Sequence, residues 1–207
     1  MPDMPIHSAA SRTFVLVHGG FHGGWCWSQV AALLRARGHA VFTPTQTGCG
    51  ERCHLLTRSI TLDTFIDDIA NVLRWEDLHN VVLVGHSFGG IAITGVADRM
   101  SQNQSQNLPH NQPHNQPQRL RQLIYLDSLI LQNGQCAFDL LEPSVVQTRL
   151  QAAQANGGVW IEPPPPSFFG VFEPEQMAFL QGRLTPHPLG TYTSPLKLQH
   201  QIGRAHV

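Results

Sequence analysis

A serine flanked by glycines is the residue best suited to covalent chemistry in this sequence. The run Gly85-His86-Ser87-Phe88-Gly89 fits G-x-S-x-G, follows a short β-branched run and precedes an apolar stretch. A serine in this strand–turn–helix setting has a strained backbone, and a Cβ at either flanking glycine would collide with neighbouring chain. The turn lifts the hydroxyl clear of the sheet, near the positive end of the following helix. We therefore predict that Ser87 is a nucleophile.

A second glycine motif supplies what a serine nucleophile needs for acyl transfer. His18-Gly19-Gly20-Phe21 follows an apolar run that reads as a buried strand. An oxyanion hole needs backbone N–H groups aimed at the developing negative charge, one from the residue after the nucleophile and one from this earlier loop. We predict the N–H groups of Phe88 and Phe21 as these donors. The alternative for Phe21 is an exposed aromatic side chain of the loop.

Three histidines near these motifs are weak candidates for the catalytic base. His18 and His22 lie in the loop that should carry the oxyanion donors, and His86 is held beside the nucleophile with its side chain directed elsewhere. We expect a structural or supporting role for His18 and His86.

The elements that must position these motifs alternate between strands and helices. Apolar β-rich runs predict strands, and apolar residues at helical spacing predict helices, one of them capped by Thr61. Alternation at this spacing predicts an α/β fold, a mostly parallel sheet with helices on both faces. The predicted strands cover residues 13–18, 39–43, 80–84 and 120–126, and the predicted helices residues 25–37, 62–75 and 91–97.

Composition divides the chain into segments. Eighteen residues, 101–118, hold six Gln, four Asn, three Pro and two His, which is too polar to bury a core and predicts a flexible insertion. Beyond residue 131 the periodicity is poorer, with candidate helices at 144–155 and 174–182, which is typical of a cap or lid. The predicted organisation is a tail at 1–11, a core at 12–131 that contains the insertion, a cap at 132–201 and a non-native end at 202–207.

Charge and hydropathy exclude several classes of partner. The net charge is −1 and only 13% of residues are charged, so no basic surface for nucleic acid is expected. No apolar run approaches the roughly 20 residues that span a bilayer, and the first ten residues lack the pattern of a signal peptide. We expect a cytoplasmic globular protein with a small-molecule ester substrate and neither nucleic acid nor membrane as partner.

The cysteines are considered next as possible metal ligands. Four cysteines at irregular spacing do not form a disulfide framework. Cys49, Cys53 and His54 offer two thiolates and an imidazole, but no second Cys/His pair stands at zinc-site spacing. We therefore predict no metal and no organic cofactor.

Four segments taken together resemble a known family. FVLVHGGFHGGWCW, TPTQTGCGERCHLL, VLVGHSFGG and LIYLDSLI are similar to the α/β-hydrolase superfamily, in the branch of small esterases that includes pyrethroid-hydrolase-like enzymes, plant methylesterases and hydroxynitrile lyases. The resemblance covers residues 12–198 apart from the insertion. It implies Ser87 as nucleophile and Phe21 and Phe88 as oxyanion donors.

The same resemblance leaves the base and the acid unassigned. Family members carry the histidine after the last strand, in the order Ser, acid, His, so we expect it beyond the end of this chain. His187 and His200 lie in the cap-like region and are not expected to be the base. Asp127, just past a strand, is either the acid in a variant arrangement or a structural turn residue. Residues 202–207 match one frame of a common sequencing adapter, so native sequence is expected to end near Gln201 and the last two strand–helix units of the fold are expected to be missing.

The function expected from these motifs is hydrolysis of carboxylic esters. Aromatic residues of the cap suggest an apolar pocket and therefore small hydrophobic esters; they are Trp160, Phe168, Phe169 and Phe172. A second hypothesis is a lyase of the hydroxynitrile-lyase type that uses Ser87 as a base. A third is a catalytically incomplete hydrolase fold that only binds ligands, because losing a triad member costs orders of magnitude in rate.

Overall fold

The structure is a computed structural model that describes residues 10–106 and 118–199, with the side chains of residues 102–106 excluded. The predicted end segment 202–207, His200, most of the N-terminal tail and residues 107–117 of the predicted insertion lie outside this range. The strands are β1 (Thr13–Val17), β2 (Ala40–Phe42), β3 (Val81–His86), β4 (Leu120–Leu126), β5 (Trp160–Ile161) and β6 (His187–Pro188). The α-helices are α1 (Ser28–Ala36), α2 (Leu62–Trp75), α3 (Gly89–Gln106), α4 (Pro143–Gln154), α5 (Pro174–Gln181) and α6 (Leu189–Thr193).

Strands β1 to β4 form one parallel sheet in the order β2-β1-β3-β4. Thr13 pairs with Ala40 of β2 and Val81 of β3, and Val17 pairs with Gly85 at the other end of β1. The order of the strands reverses between β1 and β3, and ligands of open α/β sheets bind at the carboxyl edge at such a reversal. The loops that follow β1 and β3 therefore meet where a site is expected.

Side chains of the sheet alternate between two apolar layers. Leu16, Val82 and Val84 pack with Trp27 and Ala31 on the side of α1. The intervening residues of the same strands face α2 and α3 on the other side; they are Val15, Val17, Val81 and Leu83. This alternation is the two-sided burial that a parallel sheet requires, and it confirms the predicted fold class.

Helix α2 begins and buries one face as its sequence predicts. Thr61 is the N-cap residue, and its backbone N–H donates to Thr64 Oγ1 at 3.2 Å. Leu62, Phe65 and Ile69 are each at most 1% exposed, so the apolar stripe at helical spacing faces the sheet.

Two helices differ from their predicted extents. Residues 24–27 form a 3-10 turn, so α1 starts at Ser28 instead of residue 25. Helix α3, predicted to stop at Ala97, continues to Gln106, so the first six residues of the Gln/Asn-rich segment are helical. An apolar first half anchors this helix, and Gln propagates a helix nearly as well as Leu. Within the described ranges, no helix is both long and apolar enough to cross a bilayer.

Candidate active site

Ser87 lies on the sharp turn between β3 and α3. Its φ is +51°, in the left-handed region that few residues other than glycine adopt. Its N–H donates to the carbonyl oxygens of Leu126 and Asp127, at 3.3 and 3.2 Å, and its own carbonyl accepts from the N–H of Leu129 at 3.0 Å. The strained serine is thus held by the chain that leaves β4, and its side chain is only half-buried.

The glycines around Ser87 leave no room for a side chain. A Cβ on Gly85 would lie 2.7 Å from the Gly89 carbonyl oxygen, and a Cβ on Gly89 would lie 2.7 Å from the carbonyl oxygens of Val17 and His18. All of these obstacles are backbone atoms, which cannot swing aside. The predicted need for glycine at both positions is confirmed.

The loop after β1 crosses directly over the serine. A Cβ on Gly19 would lie 2.9 Å from Ser87 Cβ, and a Cβ on Gly20 would lie 3.9 Å from Phe88 Cβ. Both motifs found in the sequence are therefore brought together, as their positions at the ends of neighbouring strands require.

Of the two predicted oxyanion donors, one is free and one is engaged. Among the described residues, nothing accepts a hydrogen bond from the N–H of Phe88. The N–H of Phe21 donates to His187 Nδ1 at 3.2 Å, and the Phe21 carbonyl accepts from the N–H of Thr185 at 3.0 Å. Phe21 has a φ of +66° and its side chain is 4% exposed. The alternative of an exposed loop aromatic is therefore wrong.

The histidines of the first loop are bonded to backbone. His18 is fully buried, with Nε2 accepting from the N–H of Gln46 at 3.1 Å and Nδ1 donating to the Gly19 carbonyl at 2.8 Å. Burial lowers the pKa of His18 to about 4. His22 Nδ1 lies 2.7 Å from the Gly20 carbonyl, and its ring stacks on Trp25. These contacts fix the path of the loop, and they leave neither nitrogen of His18 free to accept a proton from Ser87.

The side chains of His86 and Asp127 flank Ser87 without hydrogen-bonding to its hydroxyl. The His86 ring meets the ring of Trp27 edge to face, with centroids 6.2 Å apart. Burial lowers the pKa of His86, and the nearby charge of Asp127 opposes that shift. The Asp127 side chain is exposed, and its backbone carbonyl is the group that contacts Ser87. The structure thus places Asp127 next to His86 and on the turn that supports the serine.

His187 is a site residue that sequence reasoning missed. It is fully buried below the loop after β1, among the rings of Phe21, Phe65, Phe88 and Tyr192, at centroid distances of 4.9 to 5.5 Å. Burial lowers its pKa to about 3, so it is neutral at ordinary pH. Since Nδ1 accepts from Phe21, the proton is on Nε2, which has no hydrogen-bond partner among the described residues. The only sequence signal was a histidine between two prolines, which indicates no burial.

The four aromatic residues expected to line an apolar pocket lie in different surroundings. Phe169 reaches the site loop, where its ring meets His22 edge to face at 5.0 Å. Phe168 and Phe172 are 65% and 70% exposed, and Trp160 donates through Nε1 to Glu162. Of the four, only Phe169 has a ring contact with the loop after β1 in the described part of the chain.

The cysteine cluster does not form a metal site in the described residues. Cys49 is fully buried, its Sγ is 3.8 Å from His187 Nδ1, and burial raises the pKa of its thiol. Cys53 and His54 are exposed on a 3-10 turn. Over residues 10–106 and 118–199, no group of three or more His, Cys, Asp or Glu side chains is placed to hold a metal ion.

Comparisons with known proteins agree with this architecture. Residues 14–204 match the model of the Alpha/beta hydrolase family. The carbendazim hydrolyzing esterase of Nocardioides sp. (strain SG-4G) is 38% identical over 195 residues, which are 89% of this chain and 73% of that protein. The putative chloroplastic methylesterase 11 of Arabidopsis thaliana is 28% identical over 138 residues, 66% of this chain but only 31% of the plant protein.

A solved structure supports the fold independently. An extracellular α/β-hydrolase from a Paenibacillus species superposes with a TM-score of 0.75 over 91% of this chain and 72% of that one, at 24% identity. Likeness at this identity shows the fold alone. The match over residues 14–204 shows that the chain belongs to the alpha/beta hydrolase family, and its 38% identity to the carbendazim hydrolyzing esterase places it in an esterase branch.

Proposed function

We propose that the chain hydrolyses carboxylic esters with Ser87 as the nucleophile. The observation that carries this proposal is the left-handed Ser87 backbone, φ +51°, at a turn that glycines on both sides make possible. Strain of this kind costs about 1–3 kcal/mol and is kept where it serves a function. In the proposed reaction Ser87 Oγ bonds to the ester carbonyl carbon, the π electrons move to the carbonyl oxygen, and the serine proton passes to a base.

The developing negative charge would be held by backbone amides. The N–H of Phe88 is proposed as the first donor, since it starts the turn into α3 and has no acceptor among the described residues. Phe21, the second proposed donor, must first exchange its bond to His187. The N–H of Gly20, next to it, has no acceptor in the described chain and is the alternative.

The proposal assigns no catalytic base among the described residues, and it assigns one acid. Within residues 10–106 and 118–199, no histidine hydrogen-bonds to Ser87 Oγ, so the proposal assigns none of them as base. Asp127 is kept as a proposed acid, and its charge acts on the pKa of His86, the residue before Ser87.

Small, fairly hydrophobic esters are the proposed substrates. The aromatic side chains of Phe169 and Trp25 pack on His22, which is bonded to the loop above Ser87. One relative is named for hydrolysis of carbendazim, so carbendazim and aryl esters of short acids form a rational first panel.

Labelling with a fluorophosphonate tests the nucleophile without requiring turnover. The reagent should add one phosphonyl group to the peptide that contains Ser87, detected by mass spectrometry, and Ser87→Ala should abolish the label. Ser144→Ala, at an exposed serine of α4, is the matched control and should label normally. Equal labelling of the Ser87→Ala protein would rule out Ser87 as the nucleophile.

One observation favours a second candidate, a hydrolase fold that binds esters but turns them over poorly. That observation is the lack of a described imidazole bonded to Ser87 Oγ. Without the base, the rate should fall by several orders of magnitude and leave only the contribution of the oxyanion donors. Aryl-ester turnover at ordinary enzyme rates, abolished by Ser87→Ala, would refute this candidate.

A further inference from the structure

Tyr192 of α6 lies beside the loop after β1, which contains Gly19 and Gly20 and is called the glycine loop below. Tyr192 is 6% exposed, and its ring lies against Phe88 and His187, with centroid distances of 4.9 and 5.3 Å. These two neighbours are the residue that follows the nucleophile and the residue that binds Phe21. The ring is therefore anchored beside Phe88, a proposed oxyanion donor, and His187, the acceptor of the Phe21 N–H.

The hydroxyl of Tyr192 is directed at this loop. A Cβ on Gly20 would lie 3.2 Å from Tyr192 Oη and 3.9 Å from Phe88 Cβ. Oη therefore lies in the space beside Gly20 that also faces Phe88. Any residue larger than glycine at position 20 would enter that space.

The Tyr192 hydroxyl has a proton to donate. Oη accepts a hydrogen bond from the guanidinium of Arg149, which has only donors, so the hydroxyl keeps its own proton to donate. Burial raises the pKa of Tyr192, so the hydroxyl stays protonated at neutral pH. A donor of this kind is suited to an acceptor that arrives with a ligand.

The positive charge of Arg149 lies next to Tyr192. The guanidinium carbon of Arg149, on α4, lies 5.7 Å from the centroid of the Tyr192 ring, and its charge counteracts the rise in the tyrosine pKa. Arg149 forms no ion pair with a carboxylate in the described part of the chain. Since a guanidinium carries only donors, it leaves the Tyr192 proton free and favours negative charge nearby.

We infer that Tyr192 is a further catalytic residue, whose hydroxyl donates a hydrogen bond to the substrate oxygen that becomes negative when Ser87 attacks. This inference rests on the proposed ester hydrolysis. The Tyr192 proton stays on Oη throughout: Ser87 Oγ bonds to carbon, the π pair moves to oxygen, and the serine proton passes to an imidazole or water base. The hydroxyl supplements the N–H of Phe88 while the N–H of Phe21 is engaged with His187.

Phenylboronic acid tests the inference without requiring turnover. It forms a tetrahedral, negatively charged adduct with a serine oxygen and releases a proton to the buffer, so it imitates the oxyanion. Its Kd, measured by titration calorimetry with boron NMR to identify the adduct, should rise about 10- to 100-fold in Tyr192→Phe, since one oxyanion donor is worth about that or more in rate. Ser87→Ala should abolish the tetrahedral signal.

Tyr125→Phe is the matched control, because it removes the other tyrosine hydroxyl of the chain. That hydroxyl is partly buried and bonded to Thr94 Oγ1 at 2.9 Å, between β4 and α3. Its removal should leave the boronate Kd within about twofold of the unmodified protein. Thermal unfolding of both variants checks that they fold alike. If Tyr192→Phe does not fold, Arg149→Gln at a half-buried position replaces it, with an expected weakening of several-fold.

The outcomes separate the two proposals. Boronate binding that is lost in Ser87→Ala but unchanged in Tyr192→Phe, or equally weakened in Tyr125→Phe, would overturn the role of Tyr192 alone. Boronate binding that does not depend on Ser87 would overturn the proposed function itself, and the role of Tyr192 with it.

Discussion

The backbone N–H of Phe21 donates a hydrogen bond to Nδ1 of His187, 3.2 Å away and 166 residues later in the chain. A second hydrogen bond joins the same two segments, since the Phe21 carbonyl accepts from the N–H of Thr185. Both polar groups of one left-handed residue are thus satisfied by the short segment that leads into β6. The loop above Ser87 is shaped by residues from the far end of the described chain.

His187→Ala should destabilise the protein by about 3 kcal/mol. The change removes an imidazole packed against four rings and leaves the buried N–H of Phe21 without its acceptor. Urea unfolding followed by circular dichroism measures the change. His54→Ala, at an exposed histidine, is the control and should stay within about 0.5 kcal/mol. Equal stability of the two variants would contradict the packing role of His187.

The free energy of unfolding should fall as the pH drops below about 6.5. Burial lowers the pKa of His18 to about 4 and that of His187 to about 3. Between about pH 6.5 and these values the unfolded chain binds protons at both histidines and the folded chain does not, so each costs up to about 1.4 kcal/mol per pH unit. Above pH 6.5 both states are neutral at these sites and the effect vanishes.

Urea titrations at about pH 7.5, 6.5 and 5.5 measure this dependence. The slope below pH 6.5 should be smaller in His187→Ala, which retains only His18 of the pair. A stability that stays level or increases on acidification over this range would contradict the neutral, buried state of both imidazoles.

Gly85→Ala should prevent folding or destabilise by at least about 2–3 kcal/mol. The new Cβ would lie 2.7 to 2.8 Å from backbone atoms of Gly89 and Gly90, so the turn itself would have to shift. Gly182→Ala, after α5, is the control: φ is −74° and the nearest atom is 3.6 Å away. We expect a small gain, under about 1 kcal/mol, for this control. The melting temperatures of the two variants, measured by thermal unfolding, compare their stabilities.

Asp68→Ala should loosen the loop that follows β2. The Asp68 carboxylate accepts from the N–H and hydroxyl of Thr47, at 2.6 and 2.8 Å, and from Arg52, which also donates to the Thr45 carbonyl. Hydrogen bonds to a charged group contribute about 1.5–3 kcal/mol, so a loss of about 2 kcal/mol is expected. Tryptic cleavage after Arg52 should also become faster.

Asp67→Ala, one residue away, is the control for this loop. Asp67 pairs with Arg99, and its side chain is 61% exposed, so its loss should cost under about 1 kcal/mol and leave cleavage after Arg52 unchanged. A similar cleavage rate in both variants would show that Asp68 does not hold the loop.

The serine turn could be predicted because its causes are local. The continuous apolar run of β3, the glycines two residues either side of Ser87 and the apolar start of α3 all lie within about a dozen residues. The apolar stripe of α2 is similarly local. The end of α3 was misjudged because Gln- and Asn-rich composition favours disorder on average, whereas a helix already anchored by packing extends through such residues at little cost.

The roles of His187 and Tyr192 could not be predicted, because they depend on distant contacts. They lie in and after a two-residue strand, where no periodicity of apolar residues marks burial. Their partners, Phe21, Gly20 and Phe88, precede them by about a hundred residues or more. Pairing over such separations is decided by the assembled core and leaves no pattern in a short window of sequence.

The hydrogen bond between Phe21 and His187 also determines when the turn at Phe21 can be stabilised during synthesis. The turn that carries Phe21 leaves the ribosome 166 residues before its partner does. Until the segment around Thr185 arrives, the N–H and carbonyl of Phe21 can be satisfied only by water or by other transient partners, and the left-handed turn has no support. Contacts of such high sequence separation form late because loop closure must come first. Strands β1 to β4 can therefore pair in the nascent chain before the segment around Thr185 supports the left-handed turn at Phe21.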